Sequence, residues 1–388
     1  MEHGGAEAVI IGGMVLDIHA TPSMPANPRT TTPGRVRYIL GGVARNVAEC
    51  MSKLGAKPYM ISAVGLDMPG NLLFERWKSA GLSIEGILKD SDIETPVVCN
   101  VFDANGEVAA GVASVEAIEK YLTPDWILHF KSTIDTAPLL LVDANLNLPS
   151  LRASCKIAAD SECPVWFEPV SVTKSKRITS IVKNVTYTSP NEDELIAMAN
   201  ALFGADVFHP LKANHNLSTV SLFNMLKPAI WVLLEKGIKV VVVTLGSEGV
   251  LLCCKGGPSH IRSPLKKTTR SGSSENLYKI IMQKCPPNWC FGVSEPDRSS
   301  RLFAVHFPSL PASVVRLTGA GDCLVGGTLA SICAGLDIMQ SVSIGIAVAK
   351  AAVEVEANVP SAISLAAIAD NAKTVYSGAK VLFHQSML

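Results

Sequence analysis

Residues 318–322 read Thr318-Gly319-Ala320-Gly321-Asp322 and lead into 323–334, an apolar stretch with helical spacing. Small residues at a helix start leave the backbone N–H groups uncovered, and the helix dipole adds positive potential at that end. We therefore predict an anion hole at Gly319, Ala320 and Gly321, suited to a phosphate group in transfer. A carboxylate at Asp322 suits a general base that faces a substrate hydroxyl. A glycine-rich turn in which Asp322 caps the helix is equally compatible with these residues alone.

A second glycine motif lies near the start of the chain, where residues 41–48 read Gly41-Gly42-Val43-Ala44-Arg45-Asn46-Val47-Ala48. Paired glycines let a ligand approach the backbone closely. Asn46 is polar within a stretch that has the spacing of an amphipathic helix, and its amide can both donate to and accept from sugar hydroxyls. A solvent-facing position on the helix is the alternative interpretation of Asn46.

Between and around these motifs, short apolar runs alternate with helical patterns. This alternation predicts an α/β fold with an open, mostly parallel sheet and helices on both faces. The predicted strands are 9–11, 59–64, 139–142, 164–167, 185–188 and 240–245, and the predicted helices are 43–54, 69–80, 151–159, 192–202, 222–236 and 323–334.

Two regions interrupt the alternation. Residues 14–40 are rich in Pro and Thr, and 97–112 indicate two strands around Asn105-Gly106. We expect a small β lid above the main sheet, formed by about 14–40 and 95–113. Residues 257–312 have weak periodicity and many polar turn residues, which predicts a surface insertion, partly flexible. The whole chain, 1–388, is otherwise expected to form a single domain.

Composition excludes several classes of protein. Lys+Arg and Asp+Glu are equal at 34 each, so no basic field is present to gather nucleic acid or an anionic membrane. No apolar run approaches the ~18 residues of a membrane span. Ten scattered cysteines without a Cys-x-x-Cys pair indicate reduced thiols in the cytoplasm. The tripeptide Ser386-Met387-Leu388 is similar to the peroxisomal address Ser-Lys-Leu, which favours the peroxisome instead.

The two glycine motifs together resemble the two signatures of the ribokinase (PfkB) family of carbohydrate and nucleoside kinases. The first matches in full, with Gly55 and Gly65 at the family's spacing. The second matches in its Gly-Ala-Gly-Asp core, but relatives usually carry Asp-Thr where this chain has Arg316-Leu317. Because those positions help bind a monovalent cation in many relatives, potassium activation is left open. The resemblance implies a ribokinase-like fold and a reaction with ATP and Mg²⁺.

The resemblance also implies roles for individual residues. Asp17, which follows the first strand, is expected to hold sugar hydroxyls together with Gly41, Gly42 and Asn46, while Asp322 takes the proton. The Asn-x-x-Glu pattern at Asn191 and Glu194 is expected to order phosphate and Mg²⁺ through water, with Glu194 as the metal residue. The expected nucleotide-binding residues are Asn191, Thr244, Gly246, Gly249, Thr318, Ala349, Ala352 and Asn358. Helix capping, a β-turn and core packing are the alternative interpretations of these positions.

Within the family, the resemblance is greatest to the branch that phosphorylates pseudouridine, at residues 141–146 and 166–171. Both segments follow predicted parallel strands, where ligands bind in open α/β sheets. The candidates for contacting the base are Asn100, Thr133, Asn145 and Ser171. A kinase for ribose or adenosine and a non-catalytic binding relative stay open as alternatives, as does a homodimer through the lid. Residues 12–14 do not supply the G-x-G-x-x-G motif that a dinucleotide-dependent dehydrogenase needs.

Overall fold

A computed structural model describes residues 8–25, 29–103, 108–211, 218–256, 272–287 and 301–386. The strands are β1 Val9–Ile11, β2 Val15–Pro22, β3 Gly34–Gly41, β4 Tyr59–Gly65, β5 Ile87–Asp90, β6 Val97–Phe102, β7 Val108–Ser114, β8 Leu140–Asp143, β9 Val165–Glu168, β10 Tyr187–Thr188, β11 Val240–Thr244, β12 Val250–Lys255, β13 Arg301–Phe307 and β14 Lys380–Ser386.

The α-helices lie between these strands, and three 3₁₀ turns accompany them at 176–180, 182–184 and 246–248. They are α1 Val43–Lys53, α2 Met68–Ser79, α3 Glu116–Tyr121, α4 Pro124–Leu128, α5 Lys131–Thr136, α6 Leu148–Asp160, α7 Val172–Ser175, α8 Glu192–Phe203, α9 Thr219–Glu235, α10 Ser273–Lys284, α11 Ala320–Cys333, α12 Ile338–Val353 and α13 Leu365–Gly378.

Ten strands form one large sheet in the order β14-β13-β12-β11-β10-β9-β8-β1-β4-β5. Seven neighbouring strands of this sheet run parallel: β11, β10, β9, β8, β1, β4 and β5. Strands β12, β13 and β14 are antiparallel to their neighbours. Strand side chains alternate between two separate apolar cores, as Ile10 and Ile11 illustrate. Helices α1, α2 and α10–α13 cover one face and α3–α6, α8 and α9 the other, which confirms the predicted α/β fold.

A second, four-stranded sheet has the order β3-β2-β6-β7 and contains the strands predicted for the lid. The β2 strand pairs antiparallel with β3 and parallel with β6, and β6 pairs antiparallel with β7. The β7 strand is exposed along its whole length. Residues 104–107, which include most of the predicted Asn-Gly turn, lie outside the described residues.

The structure differs from the prediction of a surface insertion at 257–312. Strand β13 lies inside the large sheet between β12 and β14, and α10 buries Leu277 and Ile281 in one of the two cores. These short apolar elements are surrounded in sequence by polar segments, which hid their periodicity. Those segments, 257–271 and 288–300, lie outside the part of the chain that the structure describes.

No helix among the described residues is both long and apolar enough to cross a membrane. Nine cysteines in this part of the chain carry free thiols, and eight of the nine are buried.

Candidate active site

The start of α11 holds the predicted general base. Gly319 precedes the helix in a left-handed conformation (φ 85°), and a side chain there would collide with the backbone of Asn358. Gly321 is exposed, with no atom near the place where a Cβ would stand, so the helix end is open to a ligand. Burial raises the pKa of Asp322 to about 6, although a hydrogen bond from Asn46 and the charge of Arg45 oppose that shift.

Asn46 reaches Asp322 from α1. Its Nδ2 donates to Asp322 Oδ2 over 2.6 Å, and Arg45 donates to its Oδ1. Asn46 therefore joins the two glycine motifs, which are 276 residues apart in the chain. The amide predicted to hold sugar hydroxyls thus makes a direct contact with the predicted base, and it keeps a second amide hydrogen for a ligand.

Gly41 and Gly42 form the joint between β3 and α1. A Cβ at Gly41 would stand 2.3 Å from the carboxylate of Asp17, and one at Gly42 would stand 2.3 Å from the carbonyl oxygen of Gly13. Gly42 also has a φ of 96°, which favours glycine. Both glycines are therefore required by close approach, and Gly41 makes room for the Asp17 carboxylate at the site.

Asn358, expected to lie near adenine, contacts the small sheet. Its Nδ2 donates to Asp17 Oδ2 over 3.1 Å and to the Leu40 carbonyl over 3.2 Å. Its Oδ1 is buried and, among the described residues, has no hydrogen-bond partner. Asn358 therefore lies beside Asp17 and leaves an acceptor atom there. Burial raises the pKa of Asp17, opposed by the hydrogen bond from Asn358 and by the charges of Arg45 and Arg316.

Asp143, at the end of β8, is a site residue that the sequence analysis did not assign. It is fully buried and accepts from the backbone N–H groups of Gly13 (3.1 Å) and Asn145 (2.9 Å). Burial raises the pKa of Asp143 despite these bonds. The carboxylate ties the turn after β1 to the end of β8, directly below the glycine joint.

A cavity of about 180 Å³ brings the base together with the predicted nucleotide residues. Its polar lining comes from the carboxyl ends of β9 and β11 and from the starts of α8 and α11. The lining residues are Val43, Glu168, Val170, Ser189, Asn191, Glu194, Thr244, Gly321, Asp322 and Val325. Asn191, Glu194, Thr244 and Asp322, predicted from three separate motifs, thus face one space.

Asn191 and Glu194 form a capping box at the start of α8. Glu194 N–H donates to Asn191 Oδ1 over 2.8 Å, and Asn191 N–H donates to Glu194 Oε2 over 3.0 Å. The alternative interpretation as capping residues therefore holds at the same time as their place on the cavity. Within the described ranges, no group of three or more His, Cys, Asp or Glu side chains is arranged to hold a metal ion.

Glu168, at the end of β9, is a second carboxylate that the sequence analysis did not assign. Ser189 donates to it, and Trp166 Nε1 donates to Ser189 over 2.8 Å. Burial raises the pKa of Glu168 well above its usual range, and the nearby charges of Glu194, Asp322 and Asp143 add to that rise. Val170, two residues on, has a φ of 67°, a conformation that β-branched residues rarely adopt.

The small sheet faces the site with one side. Asp17 and His19 project from β2 on this side, and Asn100 lies beside His19 on β6. Arg316 donates to His19 Nδ1 over 2.6 Å, so the loop before α11 holds the small sheet. Arg316 thus places a positive charge beside the small sheet, in the loop before α11.

The remaining predicted residues divide into two groups. Asn145 and Ser171 lie at the carboxyl edge of the large sheet, where Asn145 accepts from Lys174 Nζ over 2.8 Å and Ser171 caps α7. Thr133 is not brought to this edge, because it lies on α5, before the amino end of β8.

On the nucleotide side, five more of the predicted residues do not line this cavity. Gly249 (φ 94°) lies against the backbone of Phe307, Gly246 (φ 56°) is in an open turn, and Thr318 is exposed. Ala349 and Ala352 pack with the core around α12, which fits the alternative interpretation. Their contact with a nucleotide stays a prediction.

The signal that could have identified Asp143 and Glu168 is present in the sequence. Each is the first carboxylate after a buried apolar run, at the carboxyl end of a parallel strand. The sequence around Arg45 contains no comparable pattern, because the contacts of Arg45 depend on how α1 packs against the glycine joint.

Comparison with known proteins agrees with this geometry. A family model described as pfkB family carbohydrate kinase matches residues 6–271 and 297–362. A pseudouridine kinase of Arabidopsis thaliana is 56% identical over 384 residues, which cover 98% of this chain and 100% of that protein. A pseudouridine kinase of Escherichia coli is 24% identical over 259 residues, covering 66% of this chain and 76% of that protein.

Solved structures share the fold. Arabidopsis thaliana ribokinase complexed with ribose and ATP superposes with a TM-score of 0.68 at 18% identity, covering 95% of this chain and 99% of that one. A nucleoside kinase of Methanocaldococcus jannaschii gives a TM-score of 0.64 at 17% identity, covering 96% and 100%. At these identities the likeness concerns the fold alone.

Proposed function

The chain belongs to the pfkB family of carbohydrate kinases, and from this premise we propose that it transfers the γ-phosphoryl group of ATP to the 5′-hydroxyl of pseudouridine. The substrate follows from the similarity along the whole chain to the pseudouridine kinase of Arabidopsis thaliana. The observation that supports the chemistry is that Asp322 shares a cavity with Asn191, Glu194 and Thr244. A base for a hydroxyl and groups suited to nucleotide phosphates thereby face the same space.

The ribose is held on the substrate side of this cavity. Asp17 offers a carboxylate, Asn358 offers the unpartnered Oδ1 beside it, and Asn46 offers its second amide hydrogen. Gly41 and Gly42 serve this side of the site indirectly, since a side chain at Gly41 would displace the Asp17 carboxylate and one at Gly42 would collide with the Gly13 carbonyl. These groups position the 5′-hydroxyl next to Asp322, and positioning is the main contribution a protein makes to phosphoryl transfer.

Asp322 takes the proton from the 5′-hydroxyl as the oxygen attacks the γ-phosphorus. The new O–P bond forms in line with the breaking bond to the bridging oxygen, and ADP leaves with that oxygen. A pKa of about 6 leaves Asp322 ionised at pH 7 to 8 and yet more basic than an ordinary aspartate. The N–H groups at Gly319, Ala320 and Gly321 stabilise the charge on the moving phosphoryl group.

Mg²⁺ fits the acidic side of the cavity. Burial raises the pKa values of Glu168 and Glu194, and the charge of Glu194 adds to the rise at Glu168. A cation beside Glu194 would relieve that repulsion. A hard cation that retains its waters needs only one or two such oxygens. Glu194, assisted by Asn191, would hold the ion, which would neutralise charge on the ATP phosphates. Arg316 supplies a fixed positive charge nearby, so we expect potassium ions to leave kcat unchanged.

The test of the proposed function is ADP release with Mg·ATP against pseudouridine, uridine, adenosine, ribose and fructose. We expect pseudouridine to be preferred over uridine. Turnover of ribose or adenosine instead would cancel the substrate and keep the kinase. No turnover of any of them, with nucleoside binding still detected by calorimetry, would favour a non-catalytic relative.

We also infer a homodimer that forms through the small sheet. Opposite the side that carries Asp17, its outer face is apolar and consists of Ile18, Val36, Tyr38, Cys99 and Val112. Val36, Tyr38 and Val112 are 60%, 59% and 75% exposed. A contiguous apolar sheet face of this kind is typical of a protein–protein interface. A second copy covers it best, because both copies present the same face in a symmetric dimer.

The dimer is tested by the mass of the particle in solution, measured by light scattering after size exclusion. We expect twice the chain mass for the wild type and a single chain mass for Val112→Glu. Val220→Glu changes an exposed valine on α9 and serves as the matched control, which should stay dimeric. A monomeric wild type would refute the dimer.

A peroxisomal location is proposed from the tripeptide Ser386-Met387-Leu388. Residues 387–388 lie outside the described residues, so this proposal rests on the tripeptide itself. Adding one residue after Leu388 masks the address, and the fluorescently tagged protein should then leave peroxisomes. An unchanged location would refute the proposal.

A further inference from the structure

Arg45 is a buried cation beside the site, and each of its three guanidinium nitrogens donates a hydrogen bond. Its Nε donates to the Gly41 carbonyl over 2.7 Å, and its NH2 group donates to the Leu40 carbonyl over 2.6 Å. The same NH2 group donates to Asn46 Oδ1, and NH1 pairs with Glu49. The guanidinium is therefore locked between the glycine joint and α1, and it points one nitrogen at the amide of Asn46.

This contact decides which way the Asn46 amide faces. An amide has an acceptor side and a donor side, and only its oxygen can accept from a guanidinium. With Oδ1 held by Arg45, the Nδ2 group is turned toward Asp322 and donates to Oδ2 over 2.6 Å. Without Arg45, only the bond to Asp322 itself would oppose a rotation of the amide by half a turn. The oxygen would then face the carboxylate and repel it.

We propose that Arg45 is a positioning residue for phosphoryl transfer, which orients Asp322 and keeps it ionised by fixing the amide of Asn46. The proposal rests on the proposed function and extends it to a residue that neither touches Asp322 directly nor is needed to hold the substrate. A purely structural role, stabilising the joint at Leu40 and Gly41, is the competing explanation of the same contacts.

The charges around Asp322 set the direction of the expected pH effect. Arg45 on α1 favours the ionised carboxylate, whereas Asp17 on β2, Asp143 on β8 and Glu168 on β9 disfavour it. Asn46 favours the ionised form through its donor hydrogen. Because removal of Arg45 takes away the cation and also frees the amide, both changes raise the pKa of Asp322.

The experiment compares Arg45→Gln with Glu49→Gln, measuring kcat, KM and the pH dependence of kcat with pseudouridine. The Glu49 variant breaks the outer ion pair of Arg45 and leaves the contacts to Asn46, Gly41 and Leu40. For Arg45→Gln we expect kcat at pH 8 to fall about ten- to a hundredfold, as for a misplaced reacting group. We also expect the rise of kcat with pH to move to higher pH, while KM for ATP stays within about twofold. Glu49→Gln should keep kcat within about twofold of the wild type, and its rise of kcat with pH should not move to higher pH.

Arg45→Lys provides a second test in case Arg45→Gln does not fold. It keeps the charge, but one ammonium cannot replace the planar fork that spans the two carbonyls and the amide. We expect the pH midpoint to stay near that of the wild type while kcat falls. An unchanged kcat in Arg45→Lys, or an unchanged pH midpoint in Arg45→Gln, would overturn the proposal and leave Arg45 a structural role.

A substrate-free measurement separates this proposal from the proposed function. The carboxyl resonance of Asp322 can be titrated by NMR in protein labelled with ¹³C-aspartate, with Asp322→Asn giving the assignment. A higher pKa in Arg45→Gln than in the wild type supports the role of Arg45 even if no nucleoside is turned over. Equal pKa values would refute it, whatever the substrate proves to be.

Discussion

The two sheets of this molecule bear on the site in different ways. In the large sheet, every residue of β4 and β8 is buried, and the carboxylates Asp143 and Glu168 are the last residues of strands packed on both sides. In the small sheet, β7 is exposed throughout and half of the residues of β3 are exposed. The large sheet thus fixes its side chains by dense packing, whereas the small sheet has exposed strands and is tied to the loops beside α11 and α12 by hydrogen bonds, among them Arg316 with His19 and Asn358 with Asp17.

This difference suggests a division of labour. Groups that act on the reacting atoms need fixed geometry, and in the mechanism we propose they lie at the edge of the large sheet and at the start of α11. Elements with few buried contacts open and close most readily, and the small sheet carries Asp17, His19 and Asn100 toward the substrate. We therefore expect changes at the large sheet's edge to lower kcat, and changes in the small sheet's contacts to raise KM.

The largest effect is expected from Asp322→Asn. Loss of the general base should lower kcat by about 10²–10⁴-fold, while pseudouridine binding, measured by calorimetry, changes little. The amide is close in size to the carboxylate, so the fold should be kept. A kcat within threefold of the wild type would remove Asp322 from the mechanism and with it the division between the two sheets.

The same variant should be more stable than the wild type at neutral pH. The folded pKa of Asp322, about 6, lies above the ordinary 3.8, so the folded state holds the proton more tightly. The contribution of this group to stability is greatest below pH 4 and is lost as pH rises through about 6. At pH 8, Asp322→Asn should raise the free energy of unfolding by up to about 3 kcal/mol, with no gain at pH 4. Urea unfolding at both pH values measures this difference in the free energy of unfolding. Equal stability of the variant and the wild type at pH 8 would contradict the burial of a charged Asp322.

A third prediction concerns the glycine joint between β3 of the small sheet and α1. Gly42→Ala requires a side chain at φ 96° and 2.3 Å from the Gly13 carbonyl, whereas Gly81→Ala requires one at φ 72° with open space around it. The strain of a left-handed conformation is common to both and costs about 1–2 kcal/mol. Gly42→Ala should therefore destabilise the protein by about 1–3 kcal/mol more than Gly81→Ala in urea unfolding. Equal losses would mean that the joint can open to accept a side chain.

The smallest effect is expected from Arg316→Gln, which removes the hydrogen bond to His19. Loss of this bond destabilises the arrangement in which the small sheet lies against the site by about 1 kcal/mol. KM for pseudouridine should therefore rise about fivefold, while kcat stays within about twofold of the wild type. Arg35→Gln, on the same face of the small sheet, is the matched control and should change neither constant. If kcat falls as much as KM rises, the small sheet contributes to the chemical step as well.

The sequence predicted the elements well where local patterns determine them. The apolar runs that became β1, β8, β9 and β11, and the helix after Gly321, are set by burial and by turn residues close in the chain. Strand β13 escaped prediction because its seven residues follow a long polar segment. A short apolar run in such surroundings has no local feature that distinguishes an interior strand from a loop.

The site was predictable only in part, for a related reason. Asp322 and Asn46 each stood in a recognisable motif, but their hydrogen bond joins residues 276 apart and follows from the packing of α1 on α11. Thr133 precedes β8 and therefore lies near its amino end, whereas ligands bind at the carboxyl ends of parallel strands. The roles of Asn358 and Arg45 depend on how the glycine joint folds against other elements, and no local pattern contains that information.

The most direct test of the account is the pH dependence of the phosphoryl-transfer rate in a single turnover, measured by rapid quench with pseudouridine and Mg·ATP bound. Substrate binding and product release do not enter this rate, and Asp322→Asn controls for any titration of ATP itself. We predict that the wild-type rate rises with a midpoint near pH 6 and that Asp322→Asn is slow and lacks this rise. A wild-type rate that is flat from pH 5 to 8, or a rise that persists in Asp322→Asn, would contradict the assignment of Asp322 as the base.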